Sequence, residues 1–137
     1  MLQQNIKVAA DAMIFSKASG EWQLLLIDPD KGMWALPGGF VEDDEELEAA
    51  AIRELEEETG LKVSAMTQLH TFGKVGRDPR GRTVSATYYA FTNTTDQVKG
   101  ADDAAEAQWV NLKDIKKMAF DHMEVLAFAL EKLKDQL

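Results

Sequence analysis

Apolar and polar positions follow two rhythms along the chain, and each change of rhythm marks a predicted element. Ile6 to Ser16 alternates loosely and ends in an apolar run, while Trp22 to Ile27 is nearly continuous apolar sequence. Both read as strands buried on two faces. Ser19 and Gly20 turn the chain between them, and Asp28-Pro29-Asp30-Lys31-Gly32 makes a second turn that delivers Trp34, Leu36 and Pro37 to the glycine pair Gly38-Gly39. Trp34 reads as a core or lid residue. From about Glu45 to Thr59 the period becomes helical, with Ala49, Ala51, Ile52 and Leu55 as the apolar stripe, Asp43 and Glu46 as a capping box and Gly60 as the C-cap. Lys62 to Phe72 reads as a strand, and a Gly/Pro/Asp loop then leads into a β-branched and aromatic strand reaching Tyr89. Gly100 to Ala107 reads as an acidic loop, Gln108 to Leu112 as a short strand and Lys113 to Met118 as a brief helix. The last element is an amphipathic helix from Asp121, capped by Asp121 with Glu124 three residues on, burying Met123, Leu126, Ala127, Leu130 and Leu133.

Charge changes this picture more than composition does. The net charge is -9, and Glu42 to Glu58 alone holds ten acids against one base, Arg53. The rest of the chain is balanced, with 14 acids and 14 bases. Acids in the first turn of the predicted helix complement its dipole. Glu54, Glu57 and Glu58 lie in the last turns, where the dipole favours cations. Residues three and four apart share a helix face, so Glu57 and Glu58 both stand beside Glu54, with Arg53 paired to Glu57. Such a cluster needs positive charge, and all-oxygen ligands suit Mg²⁺ or Mn²⁺. Gly38 and Gly39 let the backbone approach the same point.

Gly39, five residues, Glu45, seven residues, then Arg53-Glu54-Leu55-Glu56-Glu57-Glu58-Thr59-Gly60-Leu61 resembles the Nudix box at every specified position. The resemblance implies an α/β/α sandwich with a mixed β-sheet, hydrolysing a nucleoside diphosphate linked to a group X by metal-activated water. It implies that Glu54, Glu57 and Glu58 bind metal, that the Gly39 carbonyl joins them, and that Arg53 holds the glutamates in place.

A second charged stretch is basic: Lys74, Arg77, Arg80 and Arg82 stand against Asp78 alone. Arginine suits bidentate contact with phosphate, whereas a merely solvated hairpin would pair with the acidic helix. Arg77-Asp78-Pro79-Arg80, Val84-Ser85 and Tyr88 look like the loop of Nudix proteins that handle ADP-ribose, including bacterial regulators of NAD metabolism. Phe120-Asp121-His122 looks like theirs too, which makes His122 a candidate lining residue. At position 82 that pattern usually has His, and this chain has Arg.

A chain of 137 residues without a linker or repeat reads as a single domain, 1–137. It has no cysteine, no basic leader with an apolar core, and no apolar run near the ~20 residues of a membrane span. The expectation is a cytoplasmic protein with no membrane partner. The regulators carry a DNA-binding winged helix beyond the point where this sequence stops, and a surplus of negative charge repels nucleic acid. No nucleic-acid partner is therefore expected, and the resemblance suggests a homodimer. The expected activity is hydrolysis of ADP-ribose to AMP and ribose 5-phosphate, with Arg77, Arg80, Arg82 and His122 as substrate contacts. Other nucleoside diphosphate derivatives (a dinucleotide, a sugar nucleotide or an oxidised nucleoside triphosphate) and a non-catalytic ADP-ribose sensor are the alternatives.

Overall fold

The strand β1 (Lys7–Ser16) is buried from Ala9 onward, and its alternation decides both layers that cover the sheet. Ala10, Ala12 and Ile14 face one side, and Met13 and Phe15 the other. The computed structural model describes residues 3–28, 32–95 and 106–137. Among these, β1 is followed by β2 (Gln23–Asp28), β3 (Gly38–Phe40), α1 (Leu47–Thr59), β4 (Thr67–Phe72), β5 (Thr83–Thr92), β6 (Glu106–Asn111), a 3-10 turn at Leu112–Asp114, and α2 (His122–Lys132).

The sheet order is β4-β5-β1-β2-β6. β1 and β5 run parallel along their whole length, whereas the other pairs are antiparallel, so the sheet is mixed. The far edge of β1 is divided. β2 pairs with Phe15 and Ser16, and β3 pairs with Ala9, Ala10 and Asp11, so the edge forks. Asp11 sits at that fork.

α1 packs on the alanine side. Ala50, Ala51 and Leu55 meet Ala10, Ala12 and Ile14, and these small side chains let the helix lie close to the sheet. On the other face Val125, Leu126 and Ala129 of α2, and Leu133 just after it, join Met13, Phe15, Leu24 and Leu26 in the larger core. The result is the expected α/β/α sandwich. Among the described residues no helix is long and apolar enough to cross a membrane.

Several local expectations need correction. The buried stripe of α1 is Ala50, Ala51, Leu55 and Thr59, and Ala49 is exposed. In α2 the stripe is rotated to His122, Val125, Leu126, Ala129 and Leu133, which leaves Ala127 and Leu130 outside. Both stripes have helical spacing, and the partner surface chooses between neighbouring faces. α1 starts after Glu46, which makes no side-chain cap. The Glu45 carboxylate instead accepts the Glu42 N–H at 3.1 Å, replacing the Asp43–Glu46 box. Gly60 caps the C-terminus in the left-handed region, φ 78°. β4 is shorter than Lys62–Phe72, and the short helix expected at Lys113–Met118 reduces to the 3-10 turn. Positions 29–31 of the early turn and 100–105 of the acidic loop lie outside the described residues. Trp34 is half-buried against the larger core.

Candidate active site

A cavity of about 450 Å³ opens where β1 forks. It is lined by Glu54 and Glu58 of α1, Gly38 and Gly39 of β3, Asp11 of β1, and by Arg77, Arg80, Phe120 and His122, with Asp11 near both Glu58 and Arg77. The glycines are required by closeness. A Cβ at Gly38 would run into the Asp11 carboxylate and the Ala10 carbonyl, and one at Gly39 would meet the Glu54 carboxylate. The Gly38 N–H donates to Glu58 Oε1 at 2.8 Å, tying the strand to the helix.

Arg53 organises the acidic side. Its Nε and Nη2 donate to both oxygens of Glu45 at 2.6 and 2.9 Å, and Nη1 donates to Glu54 and Glu57 at 3.2 Å each. Nη2 also reaches the Phe40 carbonyl at 3.3 Å. The expected Arg53–Glu57 pair is present, but the fork-to-fork partner is Glu45, eight residues earlier. Hydrogen bonding from Arg53 holds the Glu45 carboxyl below its usual range, and Glu45 pushes Arg53 up.

The carboxylates facing the cavity shift the other way. Burial pushes Glu58 up to about 7, with Glu54, Asp11 and Glu57 adding repulsion against the opposing Gly38 N–H. Burial raises Asp11 to about 7 as well, despite Arg77, and it raises Glu54. Glu57 is exposed on Arg53 and does not line the cavity. Among the described residues no three acidic or histidine side chains stand close enough to hold one ion by themselves. The donors still fit a hard cation. Mg²⁺ takes one or two carboxylates and completes its shell with water and substrate phosphate, and buried, mutually repelling carboxylates beside bare glycine backbone suit that chemistry.

The basic side is more committed than its sequence suggests. Arg77 is 8% exposed. Its Nε and Nη2 donate to the two oxygens of Asp121 at 2.9 and 2.8 Å, and Nη1 donates to Ser85 Oγ at 2.7 Å. Asp121 therefore anchors Arg77 and does not cap α2, as was expected of it. Arg80 donates to both oxygens of Asp78, at 3.1 and 2.9 Å, and holds that carboxyl below its usual range. Lys74 pairs with Glu124 at 3.9 Å. These pairings join the loop to itself and to α2, so the hairpin does not lie on the acidic helix. Arg82, expected among the substrate contacts, does not line this cavity. Its carbonyl accepts the Lys7 N–H at 3.0 Å where β1 and β5 begin.

His122 opens α2 and lines the cavity. Its Nδ1 accepts the Leu36 N–H at 3.1 Å, and burial lowers it to about 4, so it is neutral with its proton assigned to Nε2. Phe120, two residues earlier, has φ 56°. A bulky residue there costs roughly 1 to 3 kcal/mol. The turn is pinned on both sides, by Ala119 N–H to the Trp34 carbonyl at 2.8 Å and His122 N–H to the Ala119 carbonyl at 3.1 Å.

Sequence reasoning missed Asp11, Glu45 as the partner of Arg53, and the aromatic rim of Phe40 and Phe120. Asp11 carried a signal: it is the single charge in the apolar run Val8 to Phe15.

The chain belongs to the Nudix family: the NUDIX domain matches residues 6–128. It is 37% identical over 137 residues to the ADPR responsive transcriptional repressor NtrR of Acinetobacter baylyi, covering 94% of this chain and 55% of that one. It is 40% identical over 99 residues to the ADP-ribose pyrophosphatase of Methanocaldococcus jannaschii, covering 72% of this chain and 58% of that one. The chain thus spans little more than half the length of either relative. The NUDIX domain of Shewanella oneidensis NrtR complexed with ADP ribose superposes with a TM-score of 0.86 at 30% identity, covering 96% of this chain and 90% of that one.

Proposed function

We propose that this domain hydrolyses ADP-ribose to AMP and ribose 5-phosphate with the help of Mg²⁺ or Mn²⁺. The observation that carries the reading is the meeting in one cavity of Glu54, Glu58 and the Gly38-Gly39 backbone with an arginine- and histidine-lined wall. The archaeal relative's name and the ADP-ribose complex of the Shewanella domain support the choice of ADP-ribose.

Glu54 and Glu58 would hold the cation with the Gly39 carbonyl beside them, and Glu57, outside the cavity on Arg53, would join them by leaving that contact. When bound, the cation supplies Lewis acidity toward phosphoryl oxygens and lowers the pKa of water. Arg53 positions Glu54 and Glu57 through contacts that need no substrate. Arg77, fixed by Asp121 and Ser85, gives the cavity a rigid guanidinium whose charge is shared with Asp121. His122 offers a neutral Nε2–H donor.

The test is a panel of nucleoside diphosphate derivatives incubated with purified protein and Mg²⁺ or Mn²⁺. ADP-ribose should be cleaved to AMP and ribose 5-phosphate, chelation should stop the reaction, and Glu54→Gln or Glu58→Gln should abolish it while the protein stays folded. Near wild-type turnover in both variants would refute the metal assignment. A second reading, an ADP-ribose sensor, is favoured by the repressor relative that matches 94% of this chain. Tight ADP-ribose binding without turnover of any member of the panel would establish it in place of the enzyme.

A further inference from the structure

The mouth of the cavity carries an aromatic group that the hydrolytic reading leaves unused. Phe120 and Phe40 both line the cavity, yet 43% and 44% of their surfaces are exposed. Phe120 is held there by a left-handed backbone that its side chain disfavours. Its ring stands edge-to-face on His122, with centroids 5.3 Å apart. The guanidinium of Arg80 lies 4.9 Å from the Phe120 centroid and 5.9 Å from that of Phe40.

How Arg80 is held decides what it can do. Two of its N–H groups are turned to Asp78, as a fork on a carboxylate. A phosphate would have to compete with that carboxylate for the same edge. The centre of the guanidinium also lies over both aromatic rings, and another π-system can join such a group without disturbing the ion pair. A strained, exposed phenylalanine at a cavity mouth also calls for a function, because leaving the ring wet contributes little to folding.

Resting on the reading that this cavity binds a nucleoside diphosphate derivative, we propose that Phe120 and Arg80, with Phe40 beside them, form the subsite on which the substrate's nucleobase stacks. The cation site and the base subsite then share one cavity, joined at β3 where Phe40 directly follows Gly39, and the diphosphate lies between them. Arg80 is a specificity residue through its plane, and its charge is answered by Asp78. A purine, with the larger π-face, should be preferred to a pyrimidine.

The test measures binding of AMP and of ribose 5-phosphate by calorimetry in metal-free buffer, so that no turnover is needed. Base stacking has the weight of a roughly 5- to 150-fold change in affinity. Phe120→Ala and Phe120→Leu should both weaken AMP binding on the order of tenfold and leave ribose 5-phosphate unchanged, and Phe120→Tyr should restore AMP binding. Phe120→Leu keeps apolar bulk, so a loss there is a loss of the ring. Arg80→Lys should weaken AMP as much as Arg80→Ala does, since lysine keeps the charge and loses the plane. AMP that does not bind the wild type, or equal losses for the two ligands, or AMP binding indifferent to Phe120, would overturn the proposal. Full rescue by Arg80→Lys would overturn the role of Arg80. Absence of hydrolysis across the whole nucleotide panel sinks the enzymatic reading separately, since these binding measurements do not depend on turnover.

Discussion

Arg53 touches three glutamates and a backbone carbonyl on the acidic side, and it is absent from the cavity lining. That combination predicts a kinetic signature. Arg53→Ala should lower kcat roughly 10- to 100-fold, the range typical when a partner that orients a metal ligand is removed, with little change in KM. Arg53→Lys should not rescue it, because an ammonium cannot make the fork to Glu45 while reaching Glu54 and Glu57. A steady-state comparison in which KM rises and kcat holds would transfer Arg53 to the substrate. At this scale the sequence was readable wherever spacing along one helix sets the contact: the Arg53–Glu57 pair follows from i,i+4 geometry. Asp11, Ser85 and Asp121 converge on Arg77 from three separate elements, and no local pattern announces such a meeting.

The three residues of β3 connect strand pairing to chemistry, because their glycines are pressed on both sides. The two glycines should fail differently. A Cβ at Gly38 meets the Ala10 backbone at 2.6 Å, which cannot swing away, so Gly38→Ala should cost stability, about 1 to 3 kcal/mol as for other overpacked sites. At Gly39 the obstacle is the end of the Glu54 side chain, which can move. Gly39→Ala should therefore keep its urea midpoint and lose turnover. Urea melts and initial rates on the two variants separate these outcomes, and equal melting midpoints would contradict the account of Gly38. Element types were legible from periodicity for β1, β2, α1 and α2. The faces were not, because Ala49 and Ala50 differ only in which of them meets Ala10.

For the molecule as a whole, the buried acids make stability depend on pH. Asp11 and Glu58 keep their protons to about 7 in the fold, whereas unfolded carboxyls titrate near ~4. Between those values the folded state binds more protons than the unfolded chain, so stability without metal falls as pH rises and levels off above about 7. His122, lowered to about 4, acts with the opposite sign: its contribution is lost as pH falls from ~6.5 to about 4. Two carboxyls against one imidazole leave a net decline. In chelator, the urea midpoint of the wild type should drop between about pH 5 and pH 7.5, and that of Glu58→Gln should drop less. Parallel profiles would mean that Glu58 ionises in the fold as it does in the unfolded chain. Mg²⁺ should raise the wild-type midpoint more at the upper pH, where the carboxylates are charged.

The parallel union of β1 with β5 bears on how the molecule comes into being. Lys7 must find Thr83, and every later rung of that ladder joins the start of the chain to its second half. Closing so long a loop is slow, and its entropy is spent before any contact repays it. α1 can form locally, and its glutamates can gather on one helical face in a chain that has no cavity. Much of the rest of the cavity lining comes from β5, the loop before it and the turn into α2, so it is in place only after that pairing is made. In refolding, helical circular dichroism should therefore recover before nucleotide binding does, and the interval between the two signals would time the closing of the sheet.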